Sequence, residues 1–179
     1  IAAALAGFEQ AGVIGWVLDL RANGGGYAEP ITDLFAPPST TIMRVAARGA
    51  TPVSLIAGDG EQAPARPLAI LIGPGSASAA EIVPEALRED GRAILVGERT
   101  PGAMATTEEV RLSDGSSLWI THEHVYVGAA GPDLDGVGVS PDICAPETAA
   151  DLAAGRDPGL DAAVQALSEE AAPVPTAGR

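Results

Sequence analysis

Between Leu68 and Leu87 the chain changes character twice within a few residues. Leu68-Ala69-Ile70-Leu71-Ile72 is an unbroken apolar run with the character of a buried strand. It stops at Gly73-Pro74-Gly75, and the small residues Ser76, Ala77, Ser78, Ala79 and Ala80 follow. Ile82, Val83, Ala86 and Leu87 then fall on one side of a helix. Strand, glycine turn, serine, helix is an order that holds a hydroxyl at a sharp turn with backbone N–H groups around it. Two readings fit. In one, a serine is the nucleophile of a hydrolase and its small neighbours let a substrate carbonyl approach. In the other, Ser76 or Ser78 caps the helix, a role that serine fills well.

The rest of the chain alternates in the same way. The pattern predicts helix 1–11, strand 13–20, a glycine turn at 23–26 and helix 27–36. Strands at 41–47 and 52–57 precede a Pro/Ala/Gly loop at 58–67. The central unit is strand 68–72, helix 76–90 and strand 93–97. Strands at 106–112 and 117–127 follow, and helix 158–168 starts after Asp157-Pro158, where proline suits a first turn. Alternation of this kind implies an α/β layered core.

Four further segments stand in a fixed order around that unit. They are Asp19-Leu20-Arg21-Ala22-Asn23-Gly24-Gly25-Gly26, the stretch Gly91 to Thr100, Leu112-Ser113-Asp114-Gly115-Ser116-Ser117-Leu118, and Gly136-Val137-Gly138-Val139-Ser140-Pro141-Asp142-Ile143. With the Ser-Ala-Ser run they resemble the catalytic core of the C-terminal processing (tail-specific) peptidases, family S41, which also holds the tricorn protease core. The resemblance covers Val13 to Leu167. It implies the layered fold of the Clp protease and crotonase, with a mixed β-sheet and flanking helices. The implied unit is a peptidase core over 1–168, with the N-terminal part of the parent protein missing, and a disordered tail over 169–179.

The resemblance also assigns roles. The family's nucleophile is the middle serine of its motif, which maps to Ser78, with Ser76 beside it as runner-up. The oxyanion donors map to the N–H groups of Ala79 and Gly25, with Gly26 adjacent. Glu81 and Thr100 match a glutamate and a threonine of the family and are supporting residues. Asp19 and Arg21 fit either an ion pair or support of the site. Glu89 reads as an exposed helix carboxylate.

A serine hydroxyl needs a base to take its proton. The family commonly uses a lysine in the segment that here reads Thr100-Pro101-Gly102-Ala103-Met104, so the lysine position is Ala103. All ten basic residues of the chain are arginines, and arginine does not deprotonate near neutral pH. A serine–lysine mechanism within the chain is excluded. The tricorn-like branch uses a histidine instead, located upstream of this core and oriented by a downstream acid that maps to Asp135. As a bare sequence feature, Asp135 also suits a turn in Pro132-Asp133-Leu134-Asp135-Gly136. His122 and His124, the only histidines, lie two apart on one predicted strand and read as surface or substrate-contact residues.

These residues imply a serine endopeptidase core acting on polypeptide by acyl-enzyme chemistry. The alternative is an inactive peptidase-like module that binds a peptide or ligand. Net charge of −14 argues against nucleic acid as a partner. No apolar run is long enough to span a membrane. A single cysteine, Cys144, excludes an internal disulfide, and two histidines with one cysteine argue against a structural metal site; no cofactor is expected. An extracytoplasmic location follows from the resemblance alone.

Overall fold

The computed structural model describes residues 2–60, 62–131 and 133–171. Along the chain run α1 (Ala2–Gln10), β1 (Trp16–Asp19), α2 (Glu29–Phe35), β2 (Thr41–Ala47), β3 (Val53–Ile56), β4 (Leu68–Ile72) and α3 (Ala79–Glu89). Then come β5 (Ile94–Gly97), β6 (Thr106–Arg111), β7 (Ser117–Val127), β8 (Ile143–Cys144), α4 (Ala149–Ala153) and α5 (Pro158–Glu170). One sheet is parallel, in the order β1-β4-β5-β8, and the other is antiparallel, β3-β2-β7-β6.

The apolar run at β4 lacks alternation because both of its faces are covered. Leu68, Ile70 and Ile72 pack with Ile82, Val83, Ala86 and Leu87 of α3. Ala69 and Leu71 face the other way, onto Val96 and onto Ala163 and Leu167 of α5. Each fully buried Leu or Ile here contributes roughly 1.5–3 kcal/mol. The second face of α3 meets the antiparallel sheet, where Ile42, Val125 and Val127 join the same core. The layers are therefore α5, parallel sheet, α3, antiparallel sheet. The expected α/β layered core is present, its parallel and antiparallel strands divided between two sheets.

This order gathers loops at one rim. The C-terminal ends of β1, β4 and β5, neighbours in one parallel sheet, lead into Leu20–Gly26, Gly73–Ser78 and Glu98–Ala105 respectively. Open α/β sheets place ligands at that rim. Arg21 fastens it to the last helix. Its guanidinium donates to Asp157, the N-cap of α5, through Nη1 and Nη2 (both 2.8 Å), and to Asp19 through Nε (3.0 Å) and Nη2 (2.6 Å). These hydrogen bonds hold both carboxyls below the usual carboxylate range and raise the guanidinium pKa. Asp19 and Arg21 thus form a bracket between β1 and α5.

Two elements, β8 and α4, are absent from the sequence reading. β8 has only two residues, too short for a periodicity to show. α4 is capped by Thr148, which pairs with Asp151 in a capping box, a signal that Thr-x-x-Asp offered in the sequence. α5 also continues through Glu169 and Glu170, where the tail was expected to begin. Leu167 anchors that last turn beside Gly15, and Gln165 Nε2 donates to Glu169 Oε1 at 3.0 Å. Residues 172–179 of the expected tail lie outside the described residues. Among the described residues no helix is long and apolar enough to cross a membrane.

Candidate active site

Ser78 stands at the junction of the glycine turn and α3 with φ 57° and ψ −121°. A side chain held in so sparsely populated a region costs of order 1–3 kcal/mol, so surrounding bonds must impose it. They are present. Ser78 N–H donates to Ala103 O at 3.0 Å and to Glu81 Oε2 at 3.1 Å. Ala77 N–H donates to Asn23 O at 3.0 Å. Ser76 is fully buried, its hydroxyl donating to Leu20 O (2.8 Å) and accepting from Gly73 N–H (3.0 Å). Ser76 shapes the turn from within, while Ser78 lines a cavity.

The loop after β1 lies directly against the Ser78 side chain. Gly25 has φ 111°, and a Cβ there would meet Ser78 Cβ at 2.7 Å and Oγ at 3.2 Å. Only glycine fits that backbone and that approach. Its N–H donates to Asn23 Oδ1 at 2.8 Å. Among the described residues the Ala79 and Gly26 N–H groups have no hydrogen-bond partner.

Glu81, fully buried, organises the third loop. Besides Ser78 N–H, its carboxylate accepts from Thr100 Oγ1, from Gly102 N–H (2.7 Å) and from Ala103 N–H (2.8 Å). Thr100 Oγ1 in turn accepts from Val139 N–H at 2.8 Å. The Gly136–Val139 segment presses on this loop so closely that a Cβ at Gly138 would lie 2.0 Å from Thr100 O. Substituting Glu81 with Ala strands several buried donors at once, each worth about 1–3 kcal/mol. We expect Glu81→Ala to lose about 4 kcal/mol or more in denaturant unfolding. A loss below about 1 kcal/mol would contradict this role.

Asp135 reaches the same loop from the other side. Its Oδ1 accepts from Met104 and Ala105 N–H, both at 3.1 Å. Met104 and Ala105 line the cavity that Ser78 borders, about 360 Å³ in volume. Met43, Val45, Ile82 and Val125 give it an apolar wall, and Tyr27, Glu29, Thr106 and Thr107 supply its polar edge. Tyr27 and Glu29 were not singled out in the sequence, although they directly follow the Asn23–Gly26 loop. Neither histidine lines the cavity. His124 precedes Val125 in β7 and so faces the opposite side, with Nδ1 2.7 Å from Asp133 Oδ2. His122 Nδ1 lies 3.6 Å from Glu108. Ala103 borders the elbow through its carbonyl but offers only a methyl group. Among the described residues no group of three or more His, Cys, Asp or Glu is placed to hold a metal ion.

Residues 1–145 match the family model of peptidase family S41. The chain is 39% identical over 145 residues to the carboxyl-terminal-processing protease of Synechocystis sp., covering 79% of this chain and 33% of that protein. It is 36% identical over 140 residues to carboxyl-terminal-processing peptidase 3, chloroplastic, of Arabidopsis thaliana, covering 75% of this chain and 26% of that one. The solved photosystem II D1 C-terminal processing protease superposes with TM-score 0.64 at 33% identity, over 79% of this chain and 37% of that one. The tricorn protease superposes with TM-score 0.67 at 25% identity, over 88% and 15%. The chain thus spans a third or less of the length of these two curated relatives.

Proposed function

Because the chain belongs to peptidase family S41, we propose that it is the core of a serine endopeptidase acting on polypeptide, with Ser78 as nucleophile. The observation that carries this is the elbow itself: Ser78 held at φ 57° on the wall of a cavity, followed by an Ala79 N–H that has no partner among the described residues. Ser78 Oγ attacks the scissile carbonyl carbon, and its proton passes to a base. The Ala79 N–H donates to the developing oxyanion. The Gly25 N–H is the second donor once it leaves Asn23 Oδ1. Collapse of the tetrahedral intermediate expels the amine and leaves an acyl-Ser78, which water then hydrolyses.

The base comes from outside these 179 residues. The chain has no lysine, and its two histidines lie off the cavity. An upstream histidine oriented by Asp135 completes the set, because Asp135 Oδ2 has no partner among the described residues while Oδ1 is held by Met104 and Ala105. The resemblance to processing proteases makes chain termini the candidate substrates and supports an extracytoplasmic location. The lack of an internal base also favours a second reading, a binding module without catalysis.

The 179-residue chain and the longer protein that carries it should be incubated separately with β-casein. We expect cleavage by the longer protein and none by the chain alone. Cleavage by the short chain would place the base at His122 or His124, and cleavage by neither would favour the binding module.

A further inference from the structure

Among the described residues the antiparallel sheet ends in a strand with no neighbour on its outer side. β6 is the edge of β3-β2-β7-β6, and all six of its residues are exposed. The turn that joins it to β7 fixes which backbone groups face outward. Leu112 N–H donates to Ser116 O at 2.8 Å, so Leu112 and Ser116 form a hydrogen-bonded pair. The register then runs Arg111↔Ser117, Val110↔Leu118, Glu109↔Trp119, Glu108↔Ile120 and Thr107↔Thr121. Hydrogen-bonded and non-hydrogen-bonded pairs alternate in an antiparallel ladder. Val110 and Glu108 therefore bond to β7, while the N–H and C=O of Thr107, Glu109 and Arg111 point away from it.

That outward row begins at the cavity. Thr106 and Thr107 line it together with Ser78, and Met104 and Ala105 lead into β6 from the same wall. Long exposed edges are usually blunted by proline, lysine or a covering element, because their unpaired groups recruit another strand. β6 reads Thr-Thr-Glu-Glu-Val-Arg, without proline or lysine. Its guards are the charges of Glu108, Glu109 and Arg111 and a register shift between Thr106 and Thr107, and they leave the outward backbone groups from Thr107 to Arg111 uncovered among the described residues. A row of alternating donors and acceptors at strand spacing matches one kind of partner, the backbone of an extended polypeptide.

We propose that β6 is the docking edge for the substrate: an extended polypeptide adds to the sheet as a further strand, bonded to the backbone of Thr107 and Glu109. This rests on Ser78 as the nucleophile, since the continuity of edge and cavity is what delivers a peptide carbonyl to it. A side chain of the bound strand next to the scissile carbonyl falls against the apolar wall of Met43, Val45, Ile82 and Val125. Affinity then comes chiefly from main-chain bonds, with sequence selection left to that wall. The same geometry explains why the substrate must be unfolded locally, because a helix or a paired strand has no free backbone to offer.

The probe is reduced, carboxymethylated α-lactalbumin, an unfolded polypeptide. Thr107→Pro removes one outward donor and leaves the bonds to β7 in place, a substitution that edge strands tolerate. In the longer protein we expect it to lower kcat/KM on this probe by about tenfold or more, the scale of one lost backbone bond with its partner left unpaired. A second measurement does not depend on that variant. In the Ser78→Ala protein, amide hydrogen exchange at Thr107 and Glu109 should slow when the peptide spanning the cleaved bond is added to saturation. An unchanged kcat/KM in a folded Thr107→Pro protein, or exchange at the free-protein rate under saturation, overturns the proposal. Should the variant unfold, exchange alone decides. Failure of the Ser78 reading looks different: Ser78→Ala would then turn over the probe as fast as the parent.

Discussion

Ser78→Ala is expected to abolish cleavage of β-casein by the longer protein, with a fall in kcat on the order of ten-thousandfold or more, as for loss of a serine nucleophile elsewhere. Its fold should hold, because the elbow's bonds to Ala103 O and Glu81 use the Ser78 N–H. Ser78 is also the N-cap of α3, in a capping box with Glu81, so loss of its hydroxyl costs about 0.5–2 kcal/mol and no more. Ser76→Ala is expected to act the other way round. It removes buried bonds to Leu20 O and Gly73 N–H, so stability falls by about 1–3 kcal/mol while the folded fraction keeps turning over. Gel-based cleavage rates and thermal midpoints on the same preparations separate the two. Wild-type turnover in Ser78→Ala would move the nucleophile elsewhere.

The second large effect is expected at Asp135. Its Oδ1 carries two backbone N–H groups, from Met104 and Ala105. Asparagine can accept both through its own oxygen, so Asp135→Asn should leave the thermal midpoint close to that of the parent. The amide nitrogen would then stand where Oδ2 was. It cannot accept an imidazole N–H or stabilise an imidazolium, and it favours the wrong tautomer. A loss in kcat on the order of a thousandfold is expected, judged from the same change in a serine triad. Near-normal turnover in a folded Asp135→Asn protein would leave Asp135 with its loop-fastening role alone.

Much of the fold was legible because its signals are local. The strand ranges 41–47, 68–72 and 117–127 coincide with β2, β4 and β7. β4 was readable since burial on both faces leaves a continuous apolar run. β8 was not, since two residues pairing with Val96 and Gly97 are defined by their neighbours rather than by their own pattern. At the site, the order of motifs predicted which segments meet, and the loops carrying Ser78, Gly25, Thr100 and Gly138 do lie together. What sequence could not supply was the direction of each hydrogen bond. Gly25 N–H turning to Asn23, Glu81 accepting from two loops at once, and His124 facing away from Val125 all depend on three-dimensional placement. Tyr27 and Glu29 line the cavity for the same three-dimensional reason, and nothing in their spacing marks them as doing so.

The central claim, that Ser78 carries the acyl group, is tested most directly by covalent labelling. The longer protein, in a preparation that cleaves β-casein, is treated with a fluorophosphonate, digested and mapped by mass spectrometry. One adduct per chain is expected, on Ser78, with loss of cleavage in proportion to labelling. An adduct on Ser76 or another serine, or full inhibition with Ser78 unmodified, would contradict the account.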